Sequence, residues 1–357
     1  MRCVVRRQGS ALKVTVRTRT SSHEIECAPG ERILYAALRA GVGVPYECAT
    51  GSCGTCKARA RPGTVDDVWP QAPGHAYLKR ERGEFLMCQG VALGACEILV
   101  PSRIDAASAT APGPRHATGT LSAVRSLTRD VDAFSLELDR PVAFDAGQFV
   151  VLAAPGFAGY RAYSMVNEAA ETSRLEFVIK HKAGGSFSGW LGAGREGGTL
   201  DVFGPLGKAT WRPEEGKDLL CIAGGSGIAG MMSILSHALS SGHFERHRGD
   251  VFFGIRARED VFFADELARL VQAARGRLSV TVAYSEEPVV DRDPRIPRCI
   301  DVAHGFVHLV AGKRMGAAWG EPTAFVAGPP PMVDGALRML VMDARLPASE
   351  IRYDKFT

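Results

Sequence analysis

At 357 residues, 46% hydrophobic and 23% charged, the chain has the composition of an ordinary globular protein and the length for two or three domains. Its net charge of +4, from 43 basic against 39 acidic residues, is too mild for a nucleic-acid-binding surface. No run approaches the roughly eighteen apolar residues of a membrane-spanning helix. The basic stretch Met1–Arg7 has no apolar run after it, so it does not read as a secretory signal. The nine cysteines are odd in number and concentrated in the first 96 residues. They read as a metal site in a reducing compartment, which implies a cytoplasmic protein, and not as a disulfide framework.

Along the chain, residues 1–104 carry the cysteines between short alternating runs such as Leu12–Val16 and Glu97–Val100. Between those runs the spacing of Ile33, Leu34, Ala37 and Leu38 predicts a helix over 31–40, stopped by Gly41. Residues 105–115, small and proline-punctuated, read as a flexible linker. From 116 to 213, apolar residues alternate at period two (Phe134, Leu136 and Leu138, then Leu175, Phe177 and Ile179), as in a small antiparallel barrel. From 214 to 357, apolar strands at Leu219–Ala223, Val251–Ile255, Val280–Ala283 and Ala324–Ala327 alternate with helical stretches, the pattern of a parallel α/β sheet.

The strongest chemical signal is Cys48, Cys53 and Cys56, spaced C-x4-C-x2-C, with Cys88 after a gap of 31 residues. This is the plant-type [2Fe–2S] spacing, in which four thiolates complete two iron tetrahedra. A zinc site would show two short Cys pairs, whereas Cys88 stands alone. The small residues between the ligands allow a tight loop whose N–H groups are free to donate to sulfur. Cys3, Cys27, Cys96, Cys221 and Cys299 have no such grouping and read as buried hydrophobes.

The segment Tyr46–Cys56 resembles the cluster loop of ferredoxin domains in the reductases of bacterial multicomponent oxygenases. Val68–Gly74 and Leu86–Gln89 resemble the toluene and xylene monooxygenase reductases in particular. The resemblance implies a multidomain α+β and α/β protein: a β-grasp plant-type ferredoxin domain, an antiparallel FAD-binding β-barrel and an α/β NAD-binding parallel-sheet domain.

Two further constellations agree with it. In Arg161-Ala162-Tyr163-Ser164 an arginine suits a pyrophosphate, a tyrosine stacks on a ring and a serine hydroxyl reaches a ring nitrogen. The turn Gly184-Gly185-Ser186 leads into a short helical stretch with Ser188, and a turn of that kind offers N–H groups to a phosphate. The resemblance implies that Arg161 to Ser164, Lys180, Gly184, Gly185, Ser186 and Ser188 bind FAD. Phe187 and Trp190 read as core residues.

Farther on, Gly224-Gly225-Ser226-Gly227 follows an apolar strand and opens a helix, the context of a dinucleotide loop. No acid ends the next strand. Arg256 stands there instead, within reach of a 2′-phosphate, although the resembling reductases mostly use NADH, which is preferred here over NADPH. Two positions depart from the family pattern: Gly230 replaces a proline, which is expected to loosen the loop, and Ala327 replaces the cysteine before Gly328-Pro329-Pro330. A slower hydride transfer is the expected consequence. Phe356, with Tyr353 as the alternative, matches tail aromatics that cover the flavin; with Tyr163 and Ser164 it completes the expected catalytic set.

The run Lys79–Arg82 reads as a solvated helix face, with steering of an acidic acceptor as the sharper reading. The histidines read as carrying no mononuclear or di-iron oxygenase centre. Nicotinamide delivers two electrons as hydride, a cluster carries one, and a flavin converts between them. The implied enzyme is therefore an NADH:acceptor oxidoreductase of the ferredoxin–NAD(+) reductase type, serving aromatic hydrocarbon catabolism. Its expected partner is an oxygenase component or an intermediary ferredoxin, and monomer is the family default. A self-contained flavin oxidase with a structural cluster and a redox sensor without turnover are the alternatives.

Overall fold

The computed structural model describes residues 10–102, 104–106, 113–157, 159–168, 171–181, 185–192, 197–288, 293–316 and 319–355. Backbone contacts divide the chain into two compact units. One comprises Met1–Gly119, Phe149–Tyr163 and Thr199–Leu206; the other comprises Thr120–Gln148, Ser164–Gly198 and Gly207–Thr357.

The first unit is built on a five-stranded mixed sheet in the order Ser22–Cys27, Leu12–Arg17, Cys96–Leu99, Lys57–Ala60, Glu84–Leu86. Leu12–Arg17 pairs antiparallel with Ser22–Cys27 and parallel with Cys96–Leu99. Alternation decides which face is buried: Val14, Val16, Ile25 and Cys27 point into the core, while Lys13 and Glu24 pair outside it at 3.0 Å. The helix Ile33–Arg39 lays Ile33, Leu34, Tyr35, Ala36 and Ala37 onto that core, and Gly41 ends it at φ +75°. It is a turn shorter than the sequence pattern suggests, because Glu31 lies before the helix as a local acceptor. Its carboxylate takes the Ala28 N–H at 2.8 Å, Arg39 at 2.9 Å and His116 at 3.1 Å.

A second sheet has the strand order Arg161–Ser164, Phe149–Ala153, Thr199–Leu206, Arg115–Thr128, Val131–Ala143, Glu171–Lys180. Phe149–Ala153 runs antiparallel to Thr199–Leu206, and Val131–Ala143 runs antiparallel to Glu171–Lys180. The expected linker is structured at its ends: Asp105 and Ala106 pair with Gly43 and Val42, and Arg115 opens a strand. Residues 107–112 of it lie outside the described residues, as do Cys3, Gly184 and Phe356.

The second unit holds a six-stranded sheet in the order Asp301–His304, Leu278–Tyr284, Gly249–Ile255, Leu219–Gly224, Thr323–Gly328, Ile351–Lys355. Every neighbouring pair is parallel. Strands covered on both faces carry continuous apolar runs, as Leu219–Gly224 does, every residue of it buried. The helices Val307–Met315 and Pro330–Met342 cover one face through Val310, Ala311, Val333 and Ala336. The winding reverses between Leu219–Gly224 and Thr323–Gly328, so the crevice at their carboxyl ends is a topological switch point. Asp301–His304 and Ile351–Lys355, the two edge strands, escape an apolar search because their faces are half exposed and their residues mixed. Among the described residues no helix is long and apolar enough to cross a membrane.

His243 and His247 stand at the i, i+4 spacing of many metal ligands, but no third His, Cys, Asp or Glu joins them as a ligand among the described residues. Their rings stack at 4.7 Å, with Trp211 edge-on to His243 at 5.2 Å. Burial, helped by the nearby His247, pulls the His243 pKa down to about 4. Because this pKa is lower folded than unfolded, its stability contribution is present above pH 6.5 and is lost as pH falls toward 4. Thermal melts over that range should show wild type losing on the order of 2 kcal/mol more than His243→Gln. Equal losses in the two proteins would contradict this assignment.

Candidate functional site

The cluster loop is irregular backbone gathered around one sulfur. Cys48 Sγ accepts N–H groups from Thr50 at 3.5 Å and from Ser52 and Cys53 at 3.4 Å. The Cys53 thiol donates to it as well, and with those three amides it lowers the Cys48 pKa to about 5 against the opposing effect of burial. Cys53, as the donor, is pushed up. Cys56 Sγ lies 3.3 Å from Cys88 Sγ, and Gln89 Nε2 approaches Cys88 at 3.6 Å. The four thiols thus form two pairs, Cys48 with Cys53 half-buried and Cys56 with Cys88 buried. Among the described residues no three His, Cys, Asp or Glu side chains gather as ligands of a single ion. Two thiol pairs with amides aimed at sulfur suit a binuclear iron–sulfur cluster, which needs two thiolates per iron.

Packing within the first unit ties this loop to the Arg161 strand. The fully buried Tyr35 donates its hydroxyl to Ala49 O at 3.0 Å, next to Cys48. Its ring stacks on Phe203 at 4.4 Å and meets Tyr160 edge-on at 5.2 Å. Arg161 lies over the Trp69 ring at 5.7 Å, and Trp69 begins the segment whose Gly74 N–H reaches Gly51 O at 2.8 Å. Glu31 supports the same packing. Burial raises its pKa, but His116, Arg39 and the Ala28 N–H outweigh that and bring it to about 2.

Arg161, Ala162, Tyr163 and Ser164 form one short strand, with Ser164 buried. Burial raises the Tyr163 phenol, opposed by Arg161. Gly185 O accepts the Ser188 hydroxyl at 3.2 Å and the Gly189 N–H at 3.1 Å, which folds the turn into the helix Ser186–Gly192. Lys180 pairs with Asp130 at 3.2 Å.

In the second unit the glycine loop is a 3-10 turn, Gly225–Gly227, running straight into the helix Ile228–Ser240. Gly227 is required by close approach: a Cβ there would sit 2.3 Å from Ala327 O and 2.8 Å from Gly328 N. Gly225, at φ +53°, has nothing within 4 Å of such an atom, so that side of the loop is open. Gly230 does not loosen the loop. It is a buried helical residue, and a Cβ on it would lie 3.6 Å from Ser164 Cβ. Gly147, Ser164, Gly230, Ala327 and Asp354 are among the walls of a narrow cleft open to solvent. Pro329 caps the helix Pro330–Met342. Arg256 is paired with Asp130 at 3.0 Å and with Asp260 at 3.4 Å. Tyr353 is 40% exposed, with Lys355 Nζ 5.8 Å from its ring. Arg80–Arg82 is an exposed single 3-10 turn and not part of a longer helix.

Comparison with known proteins decides the family. Residues 16–93 match the 2Fe-2S iron-sulfur cluster binding domain, 118–211 the oxidoreductase FAD-binding domain and 221–338 the oxidoreductase NAD-binding domain. The ferredoxin–NAD(+) reductase component of an alkene monooxygenase system from Xanthobacter autotrophicus is 35% identical over 334 residues, 92% of this chain and 97% of that protein. The chain belongs to the oxygenase-reductase family of iron–sulfur flavoproteins. This reductase is also 29% identical to the xylene/toluene monooxygenase electron transfer component of Pseudomonas putida, over 92% of this chain and 89% of that one. The structure of a ferredoxin reductase in carbazole 1,9a-dioxygenase matches with a TM-score of 0.80 at 30% identity, covering 98% of this chain and 100% of that one. The reductase is thus an oxidoreductase with [2Fe–2S], FAD and NAD domains, as its motifs imply.

Tyr35, His116 and Asp130 are absent from the sequence-derived set. A tyrosine on the core face of a helix carries no mark separating it from packing, and an acid in a turn reads as solvated.

Gly227→Ala should force the two loops apart and raise the KM for the reduced dinucleotide at least about tenfold, with FAD content unchanged. An unaltered KM in steady-state assays would show that the close approach of Gly227 to Ala327 is not needed.

Proposed function

We propose that this reductase takes electrons from NADH and passes them through FAD and the [2Fe–2S] cluster to the oxygenase component of an aromatic or hydrocarbon mono- or dioxygenase, or to an intermediary ferredoxin. The observation that carries this reading is the joining of the cluster loop and the Arg161 strand within one compact unit by Tyr35 and Trp69. Its relatives, the reductase and electron transfer components of oxygenase systems, support the class of acceptor.

In this reading Cys48 and Cys53 hold one iron, and Cys56 and Cys88 the other. Arg161 grips the flavin pyrophosphate together with Gly184, Gly185, Ser186 and Ser188, while Tyr163 stacks on the ring and Ser164 bonds to it. Gly224 to Gly227 and Gly328 to Pro330 hold the dinucleotide at the switch point. When bound, the flavin accepts an electron pair from the nicotinamide and releases electrons singly to the cluster. Phe356, at the tail, covers the flavin until the nicotinamide arrives. Ala327, smaller than the family cysteine, leaves the cleft beside Ser164 less filled and slows the transfer. The chain divides into cofactor domains at 1–104, 116–213 and 214–357. With the cluster loop packed onto the Arg161 strand, the acceptor comes to the cluster, and no swing about residues 105–115 is required. A monomer in the cytoplasm, where thiols stay reduced, suits this task.

Cys53→Ser should abolish NADH-driven reduction of cytochrome c, a one-electron acceptor served by the cluster, and leave ferricyanide reduction by the flavin within about twofold. Retained ferricyanide activity also certifies the fold. Cytochrome c reduction persisting at the wild-type rate would remove the cluster from the path.

A further inference from the structure

The carboxyl end of the strand after a glycine loop is where dinucleotide-binding sheets read the adenosine ribose. A carboxylate there takes a 2′-hydroxyl, and an arginine accommodates a 2′-phosphate. This chain has Arg256 at that position, following Gly249–Ile255, and its main chain is fixed by the Glu286 N–H on the Arg256 carbonyl at 3.0 Å. By residue type alone, Arg256 is a phosphate reader.

Its guanidinium is already occupied. Nη2 lies 3.0 Å from Asp130 Oδ2, and Nε lies 3.4 Å from Asp260 Oδ2. Asp260 is buried and shared, since its Oδ2 also accepts the Ala257 N–H at 3.2 Å and its Oδ1 lies 3.3 Å from Arg129 Nη2 in an ion pair. Asp130 sits in the turn between Arg115–Thr128 and Val131–Ala143. Its Oδ2 also takes Lys180 at 3.2 Å, and its Oδ1 takes the Thr128 hydroxyl at 3.3 Å. One carboxylate oxygen therefore lies against both Arg256 and Lys180. A phosphate arriving here meets a neutralised arginine and the negative charge of Asp130 beside it.

We propose that Asp130 sets the dinucleotide preference of this reductase, holding Arg256 in an ion pair so that a 2′-phosphate is refused and the 2′-hydroxyl dinucleotide is taken. The inference rests on the reading of Gly224 to Gly227 as the dinucleotide loop.

Asp130→Asn keeps the shape and the Thr128 contact while removing the charge. Binding of 2′,5′-ADP and 5′-ADP to the FAD-loaded protein, measured by isothermal titration calorimetry, tests the proposal without turnover. Wild type should bind 2′,5′-ADP no more tightly than 5′-ADP. Asp130→Asn should shift that ratio toward 2′,5′-ADP by about tenfold, and kcat/KM for NADPH relative to NADH should move the same way. The double variant Asp130→Asn/Arg256→Ala should return to the wild-type ratio. An unchanged ratio in Asp130→Asn with 5′-ADP binding intact overturns the proposal alone. A gain that survives in the double variant also overturns it, by assigning the effect to Lys180. Failure of wild type to bind either nucleotide overturns the reading of the glycine loop and this inference with it.

Discussion

The cluster loop has no regular secondary structure to hold it, so its place depends on side chains that reach it from elsewhere. Tyr35 does most of this. Its hydroxyl satisfies Ala49 O, a carbonyl on a residue only 1% exposed, beside the first cluster cysteine. Leaving that acceptor unpaired would cost about 1–3 kcal/mol. The same ring, wedged against Phe203 and Tyr160, fixes the strand that begins at Arg161. One buried tyrosine thereby links the cluster loop to the Arg161 strand within the first unit. Electron transfer requires such a fixed approach more than it requires any reacting side chain.

The second unit solves a different problem by the absence of side chains. The turn Gly225–Gly227 approaches Ala327-Gly328 so closely that Gly227 has no room for a Cβ, and a Cβ on Gly328 would crowd Met332 Cε and the Gly224 backbone. The crevice between two adjacent parallel strands is thus walled by backbone, whose N–H groups suit a pyrophosphate. The same economy explains why Gly230 is no defect. It lies in a regular helix against the buried Ser164, where a larger residue would fill space that the cleft keeps open. Specificity at the rim falls to charges, and there Asp130, Lys180, Arg256 and Asp260 are linked by ion pairs.

The motifs were legible because they combine chemistry with spacing. C-x4-C-x2-C…C admits few other readings, and its thiols meet as two pairs. Glycine loops between apolar strands and helices were equally plain, and Leu219–Gly224, Gly249–Ile255 and Thr323–Gly328 all lie where apolar runs announce them. Less visible were elements whose stability comes from partners distant in sequence. The edge strands Asp301–His304 and Ile351–Lys355 pair on one side only, so their sequences carry no continuous apolar run. The ends of the 105–115 segment read as linker because small residues look alike in a hinge and in a short ladder. Tyr35 and Asp130 act through contacts at Ala49 and Arg256, 14 and 126 positions away, which no local pattern reveals.

The central claim is an internal relay in which the cluster and the flavin fill together from one donor. An anaerobic absorbance titration of the purified protein with NADH, alongside iron and sulfide analysis, tests it most directly. The account predicts about two irons and one FAD per chain, with flavin and cluster bands both bleached as NADH is added. Flavin bleaching beside a cluster that is present and stays oxidised would contradict it, and would make the Cys48–Cys88 site a structural one.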